Sequence, residues 1–183
     1  MNRTKKLMVS SLIIVCLCMF SLGQELAAGV TFNDPAKISD MSDFNPSNPV
    51  IPTGDTIKIA LVASFSGPAA IVGEIYFISA QWAAHDINKR GGIMVDGKRK
   101  MVQIIKANTE SKPAVAKKVC ERMVLQEKVH VLWGTNGSHI MKVINQVAAK
   151  YKVIAQCTAA LSDELYDAKN FTRYSFMTSV QTS

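Results

Sequence analysis

From residue 57 onward, short hydrophobic runs alternate with longer amphipathic stretches. Apolar runs of roughly four to eight residues bounded by turn residues are typical of buried strands, and apolar residues at three- and four-residue spacing predict helices. The pattern predicts strands over Ile57–Phe65, Met101–Ala107, Val129–Trp133, Val153–Gln156 and Tyr174–Thr178. It predicts helices over Ile71–Lys89, Pro113–Glu127 and His139–Tyr151, and a short helix over Asp163–Leu165.

The alternation of strands and helices predicts the fold class. Strands separated by helices of a dozen or more residues favour a parallel sheet with helices on both faces. We therefore expect an α/β fold with a doubly wound parallel sheet in a Rossmann-like, three-layer arrangement. Asp96-Gly97 predicts an additional hairpin. Because ligands bind at the carboxyl ends of strands in such sheets, the turn Ser66-Gly67-Pro68 after the first strand is a candidate site.

The first 23 residues have the layout of a secretory signal peptide. Three basic residues precede the 16-residue stretch Leu7–Leu22, and small residues follow at Gly23 and Ala28. A membrane-spanning helix usually needs about 20 apolar residues, so we expect cleavage after Gly23 or Ala28 and a periplasmic or secreted protein. Cys16 and Cys18 each follow a bulky residue where lipid attachment requires a small one, which disfavours a lipid anchor.

The remaining chain divides into an arm and a folded part. Residues 24–55 hold several Pro residues among Ser, Asp and Asn, a composition that predicts a flexible arm. Residues 56–183 are long enough for a sizeable core, and the whole chain is 48% hydrophobic. The formal charge of +7 includes three basic residues of the signal peptide. No nucleic-acid-binding module or basic patch with interleaved aromatics accompanies it, so no nucleic-acid partner is expected.

The residues that carry chemistry argue against several classes of protein. Cys120 and Cys157 remain after cleavage, and two alternatives stay open: a disulfide, or two separate buried thiols. His85, His130 and His139 have neither metal-ligand spacing nor a carboxylate cluster, so no metal site is expected. The nucleophile-elbow, phosphate-loop and dinucleotide motifs are absent, as are paired carboxylates at a strand end. Neither a cofactor nor an enzyme is predicted.

The segment from Ile57 to Ile93 resembles a known family. After the first strand come Ser66-Gly67-Pro68, Gly73, Asp86-Ile87-Asn88 and Gly91-Gly92-Ile93. This order is similar to the start of periplasmic binding proteins of the branched-chain-amino-acid type, the ligand receptors of ABC importers. The resemblance extends to about Ser179 and implies a lobe of the type I fold. It also implies that residues 56–183 are the first lobe, with the second lobe absent.

In the resembled family, loops at the strand ends face a ligand cleft. The resemblance places Ser66 in the first loop and Val72 one helical turn later, where a side chain often flanks the ligand; a core valine is the alternative. In the second loop, Gly137 allows close backbone approach. Ser138 matches a serine that hydrogen-bonds the ligand's carboxylate. Alternatively Ser138 is the helix N-cap, and both roles are compatible.

The third loop departs from the family's amino-acid-binding pattern. The resemblance implies a ligand contact by the backbone carbonyl of Ala159 and a hydroxyl two residues later, where this chain has Leu161. A leucine cannot hydrogen-bond a carboxylate or an ammonium group, so the ligand is expected to be a less polar acid, such as an aromatic or short-chain one. Thr158 is an alternative source of the hydroxyl, and His139 is a candidate for the cleft edge.

These expectations combine into one principal function and one alternative. The principal hypothesis is the solute-binding component of an ABC importer, which captures a branched-chain amino acid or a related amide or aromatic acid between two lobes. Its partners would be that small carboxylate-bearing ligand and an ABC permease in the membrane. The alternative is an exported ligand-sensing receptor domain that regulates a signalling partner.

Overall fold

The structure is a computed structural model that describes residues 40–165, 167 and 172–178. The expected signal peptide and the first part of the arm lie outside the described residues. Residues 40–55 contain neither helix nor strand. None of the helices in the described part of the chain is long and apolar enough to cross a membrane.

The elements follow the predicted order, with bounds that differ by no more than two residues. The strands are β1 Ile57–Ala63, β2 Ile93–Val95, β3 Lys98–Lys100, β4 Val102–Asn108, β5 Val131–Gly134, β6 Ile154–Cys157 and β7 Ser175–Met177. The helices are α1 Ala70–Lys89, α2 Pro113–Leu125 and α3 Ser138–Tyr151, with a 3-10 turn at Asp163–Leu165. Strand β1 ends earlier than predicted because the amide of Phe65 donates to the side chain of Asn108.

The described residues form a five-stranded sheet in the order β4-β1-β5-β6-β7, in which every neighbouring pair is parallel. Strands β2 and β3 form the hairpin that Asp96-Gly97 predicts. Alternate residues of β1 point to opposite faces, so Leu61 packs with Ala80 and Ala84 of α1. On the other face, Val62 packs with residues of α2 and α3 such as Met123 and Ile144. The doubly wound α/β fold is confirmed.

The two cysteines of the folded part are separate buried thiols. Cys120 of α2 and Cys157 of β6 are both fully buried and free of a disulfide. Burial raises the pKa of the Cys120 thiol to about 12, and the neighbouring Glu121 carboxylate acts in the same direction. Of the two alternatives that the sequence left open, the structure therefore shows the second.

Two motifs of the opening segment fasten α1 to the sheet. Asn88 donates through Nδ2 to the carbonyl of Val102 at 2.9 Å and accepts from its amide at 2.7 Å, as a neighbouring strand would. Because β4 is at the edge of the sheet, this pairing satisfies backbone groups that would otherwise lack a partner. At the other end of α1, a Cβ on Gly73 would lie 2.1 Å from the carbonyl oxygen of Ser64. Only glycine lets α1 approach the end of β1 so closely.

Candidate functional site

The candidate site lies where β1, β5 and β6 end. The strand register aligns Val62 with Gly134 and Gly134 with Cys157, so the three following loops leave the same edge of the sheet side by side. A Cβ on Gly134 would lie 2.1 Å from the carbonyl oxygen of Val62, so a glycine is required for this close approach. The amide of Thr158 donates to the carbonyl of Gly134 at 3.3 Å and holds the second and third loops together.

The first loop is held in place by a side chain from the neighbouring strand. Asn108, the last residue of β4, accepts hydrogen bonds from the amides of Phe65 at 2.9 Å and Glu110 at 3.0 Å. Its Nδ2 donates to Oγ of Ser66 at 3.2 Å. The hydroxyl of Ser64 donates to the carbonyl of Ser66 at 3.0 Å. Sequence reasoning missed Asn108, although a polar residue at the carboxyl end of a strand was the signal.

The second loop places Ser138 one position later than the N-cap. Gly137 is the residue before α3, and its carbonyl accepts from the amides of Ile140 and Met141 at 3.0 and 2.9 Å. Because Gly137 is extended, with φ −96° and ψ 112°, the helix begins at Ser138. The N-cap alternative for Ser138 is therefore wrong by one residue. Instead, Oγ of Ser138 accepts from the amide of Ser162 at 3.2 Å.

The third loop combines an unpartnered hydroxyl with an exposed apolar side chain. Oγ1 of Thr158 is buried and has no hydrogen-bond partner among the described residues. Ala160 is fully buried, and its carbonyl accepts from the Cys157 thiol at 3.7 Å. Ala159 is half-buried, whereas the side chain of Leu161 is 39% exposed. A buried hydroxyl without a partner costs about 1–3 kcal/mol, so it calls for an explanation.

The structure joins some of the predicted residues and separates others. Ser138 reaches the third loop, whereas Ser66 is exposed and bonded to the end of β4. Val72 is half-buried in the first turn of α1. His139 is exposed, and its Nε2 lies 3.3 Å from the carbonyl oxygen of Ser111 in the β4–α2 connection.

The hydrogen-bonding groups along this edge are hydroxyls and backbone amides. The first amides of α3 have no carbonyl partner within the helix and carry the positive end of its dipole, which attracts anions. Charged side chains nearby pair with each other, as Lys106 does with Glu74 and Lys142 with Glu164. The described residues contain no cluster of His, Cys, Asp or Glu able to hold a metal ion. The arrangement suits a small polar or anionic organic ligand.

Comparison with known proteins identifies the class. A profile of the family described as periplasmic binding protein matches residues 56–183, and the chain belongs to this family. The Leu/Ile/Val-binding protein of Escherichia coli strain K12 is 37% identical over 70 residues, which cover 38% of this chain and 18% of that protein.

Solved structures extend the comparison. The branched-chain amino acid transporter substrate-binding protein LivJ from Streptococcus pneumoniae, in complex with isoleucine, is 30% identical with a TM-score of 0.61 and covers 69% of this chain. A solute-binding protein of an ABC transporter from R. palustris, in complex with benzoate, has the same fold at 24% identity, a TM-score of 0.58 and 69% coverage of this chain. This chain spans 34% and 33% of the lengths of those two proteins.

Proposed function

We propose that residues 56–183 form the first ligand-binding lobe of an exported solute-binding protein that delivers a small carboxylate-bearing solute to an ABC importer. The hydrogen bond from the Ser162 amide to Oγ of Ser138 carries the proposal. Since this oxygen already accepts a bond, the hydroxyl proton of Ser138 is left to donate. It stands in the first turn of α3, whose amides and dipole favour the same carboxylate.

The apolar part of the ligand is assigned to Leu161 and Val72. The exposed side chain of Leu161 occupies the position at which the family resemblance implies a hydroxyl. An ammonium group placed against it would lose its water without gaining a partner, which costs free energy. This favours a carboxylate with an apolar body and no ammonium group, such as an aromatic acid. One relative was solved with isoleucine and another with benzoate, so both kinds of ligand occur among proteins with this fold.

Capture requires a second wall opposite these loops. In a two-lobe binding protein, the ligand makes contacts to both lobes and so shifts the population toward the closed state. One lobe alone buries one side of the ligand and is expected to bind it weakly. In this proposal the signal peptide ends at Gly23 or Ala28, residues 24–55 are the arm, and the partner of the closed protein is an ABC permease. The groups available at this edge of the sheet are hydroxyls, backbone amides and apolar side chains, which favour ligand binding over catalysis.

A ligand screen on the complete gene product tests the proposal. Differential scanning fluorimetry with benzoate, 4-hydroxybenzoate, isoleucine and leucine should show a concentration-dependent rise in Tm for at least one carboxylate. Isothermal titration then gives its affinity, and the corresponding neutral amide should bind less tightly because it lacks the charge that α3 attracts. A flat response to all four acids would contradict the proposal. Copurification with a permease rather than a kinase separates transport from sensing.

A further inference from the structure

The hydrogen bonds around Asn108 determine which way its side-chain amide faces. The amides of Phe65 and Glu110 can only donate, and both lie about 3 Å from the same atom of Asn108. That atom must therefore be the oxygen Oδ1. It follows that the nitrogen Nδ2, a donor without acceptor capacity, faces Oγ of Ser66 at 3.2 Å.

This orientation decides the direction of the Ser66 hydroxyl. Because Oγ of Ser66 accepts from Asn108, the hydroxyl proton cannot point back toward the amide nitrogen. Nor is it needed by the loop, whose carbonyl at Ser66 is satisfied by the hydroxyl of Ser64. Ser66 is exposed at the carboxyl end of β1, so its proton is available to an acceptor outside the scaffold. A hydroxyl that is held as a donor recognises an acceptor such as a carboxylate.

We propose that Asn108 is a positioning residue that sets the polarity of the candidate site: it holds the Ser66 hydroxyl as a donor and thereby selects ligands with an acceptor group. The inference rests on the proposed function, since it assumes a carboxylate ligand at this edge. It adds a residue on β4, a strand outside the three loops, to those that determine specificity. The proposed role of Asn108 also predicts how an aspartate at this position would change ligand binding.

Asn108→Asp changes the polarity while it preserves the scaffold. One carboxylate oxygen still accepts from the amides of Phe65 and Glu110, and charge-assisted bonds of this kind are stronger than neutral ones. The other oxygen replaces Nδ2 and draws the Ser66 proton inward. Ser66 then presents lone pairs, so a carboxylate ligand loses a donor and meets a negative charge. A loss of affinity of roughly tenfold or more is expected with no fall in Tm.

The experiment is an NMR titration of ¹⁵N-labelled 183-residue chain with benzoate and with isoleucine, which detects weak binding. The variants are Asn108→Asp, Ser66→Ala and the double substitution. Ser111→Asp, exposed on the β4–α2 connection, adds a charge without touching Ser66. We expect N108D to weaken binding of the better ligand strongly in the wild-type background and less in the S66A background, where only the added charge acts. S111D should weaken it much less.

Each contrary outcome has a distinct meaning. Equal affinities of N108D and the wild type would overturn the inference, as would an equal loss in the S66A background or with S111D. If neither ligand shifts any resonance of the wild type, the proposed function fails instead. A second measurement needs no variant at Asn108. The side-chain amide resonances of Asn108 should move during titration of the wild type and stay in place in S66A; movement in both would also contradict the proposal.

Discussion

The hydroxyl oxygen of Ser138 accepts a hydrogen bond from the amide of Ser162 at 3.2 Å and so ties the start of α3 to the loop that follows β6. The two residues are 24 positions apart in sequence. Their contact depends on the parallel pairing of β5 with β6, which brings the two loops to the same edge. One side chain therefore both fastens the third loop and offers a proton at the candidate site.

Removing this hydroxyl should affect both stability and binding. Ser138→Ala leaves the Ser162 amide without its partner, and we expect the free energy of unfolding to fall by about 1 kcal/mol. The affinity for the carboxylate should fall roughly tenfold. Chemical denaturation and isothermal titration measure the two effects. Ser162→Ala is the control for stability, because its backbone amide still donates; a stability loss equal to that of S138A would show that the hydrogen bond is not the cause.

The unpartnered hydroxyl of Thr158 predicts a gain in stability on substitution, whereas the substitution of Ser138 predicts a loss. Thr158→Val removes a buried polar group without a partner, so the free energy of unfolding should rise by about 1 kcal/mol in the absence of ligand. Thermal denaturation measures this change. Thr56→Val is a matched control, because the buried hydroxyl of Thr56 donates to Oε1 of Gln103 at 3.1 Å and its loss should lower stability. If T158V also weakens ligand binding, the hydroxyl serves the ligand; a fall in stability would refute the prediction.

Ligand preference should change with the residue at position 161. Leu161→Thr introduces a hydroxyl where the family resemblance implies one, which gives a zwitterionic amino acid an additional hydrogen bond. We expect the ratio of isoleucine affinity to benzoate affinity to rise by roughly tenfold, as a single hydrogen bond to a charged group allows. Parallel titrations with both ligands measure it. Leu125→Thr, at an exposed leucine on α2, should leave the ratio unchanged. The same ratio in L161T and the wild type would argue against a ligand contact at Leu161.

Burial of Cys120 predicts both its reactivity and a dependence of stability on alkaline pH. Its pKa is raised from the ordinary value of 9.0 to about 12, so the folded state holds the proton more tightly than the unfolded state. This contribution to stability is complete below pH 9 and is lost as the pH rises toward 12. We expect slow alkylation by iodoacetamide at pH 8 in the native state and rapid alkylation in denaturant. Cys120→Ala should flatten the stability profile above pH 9; an unchanged slope would exclude this thiol as its source.

Acid should release the segment before β1 from α1. The side chain of Asp43 lies 3.1 Å from Nε2 of His85 and 3.0 Å from Nζ of Lys89, and these hydrogen bonds lower the pKa of its carboxyl below the ordinary value of 3.8. A lowered pKa stabilises the contact above that value, and the stabilisation is lost as the pH falls through the folded-state pKa. The ring resonances of Phe44, which packs on His85, should report release below pH 4.

Asp43→Asn is the variant for this prediction. In this variant the ring chemical shifts of Phe44 should already resemble those of the released state at neutral pH. The side-chain amide that replaces the carboxylate of Asp43 lacks the charge that pairs with Lys89. Asp55→Asn is the matched control, since Asp55 pairs with Lys100 at the other end of the segment. Phe44 resonances in D55N should follow the wild-type titration. Release that occurs at the same pH in D43N and the wild type would assign it to another group.

The fold was predictable where the signal is local. The S-G-P turn, the Gly91-Gly92 pair and Pro113 mark ends of elements, and the strands between them are apolar runs. The sequence also placed Ser138 at the start of a helix. It did not place the first helical residue, because that depended on the extended backbone of Gly137. Because α3 begins one residue earlier than expected, Ser138 is not the N-cap and instead accepts a hydrogen bond from the third loop.

By itself, the sequence of this protein determined the α/β class, the order of its elements and the edge of the sheet where loops meet, because periodicity and turn residues act over a few positions. Only the tertiary structure decided which side chains became partners. Asn108 reached Ser66 across the β1–β4 pairing, and Ser138 reached Ser162 across β5 and β6. The hydroxyl of Thr158 received no partner among the described residues, and Cys120 and Cys157 stayed apart. Such relationships depend on strand register and helix position, which arise when distant segments pack together.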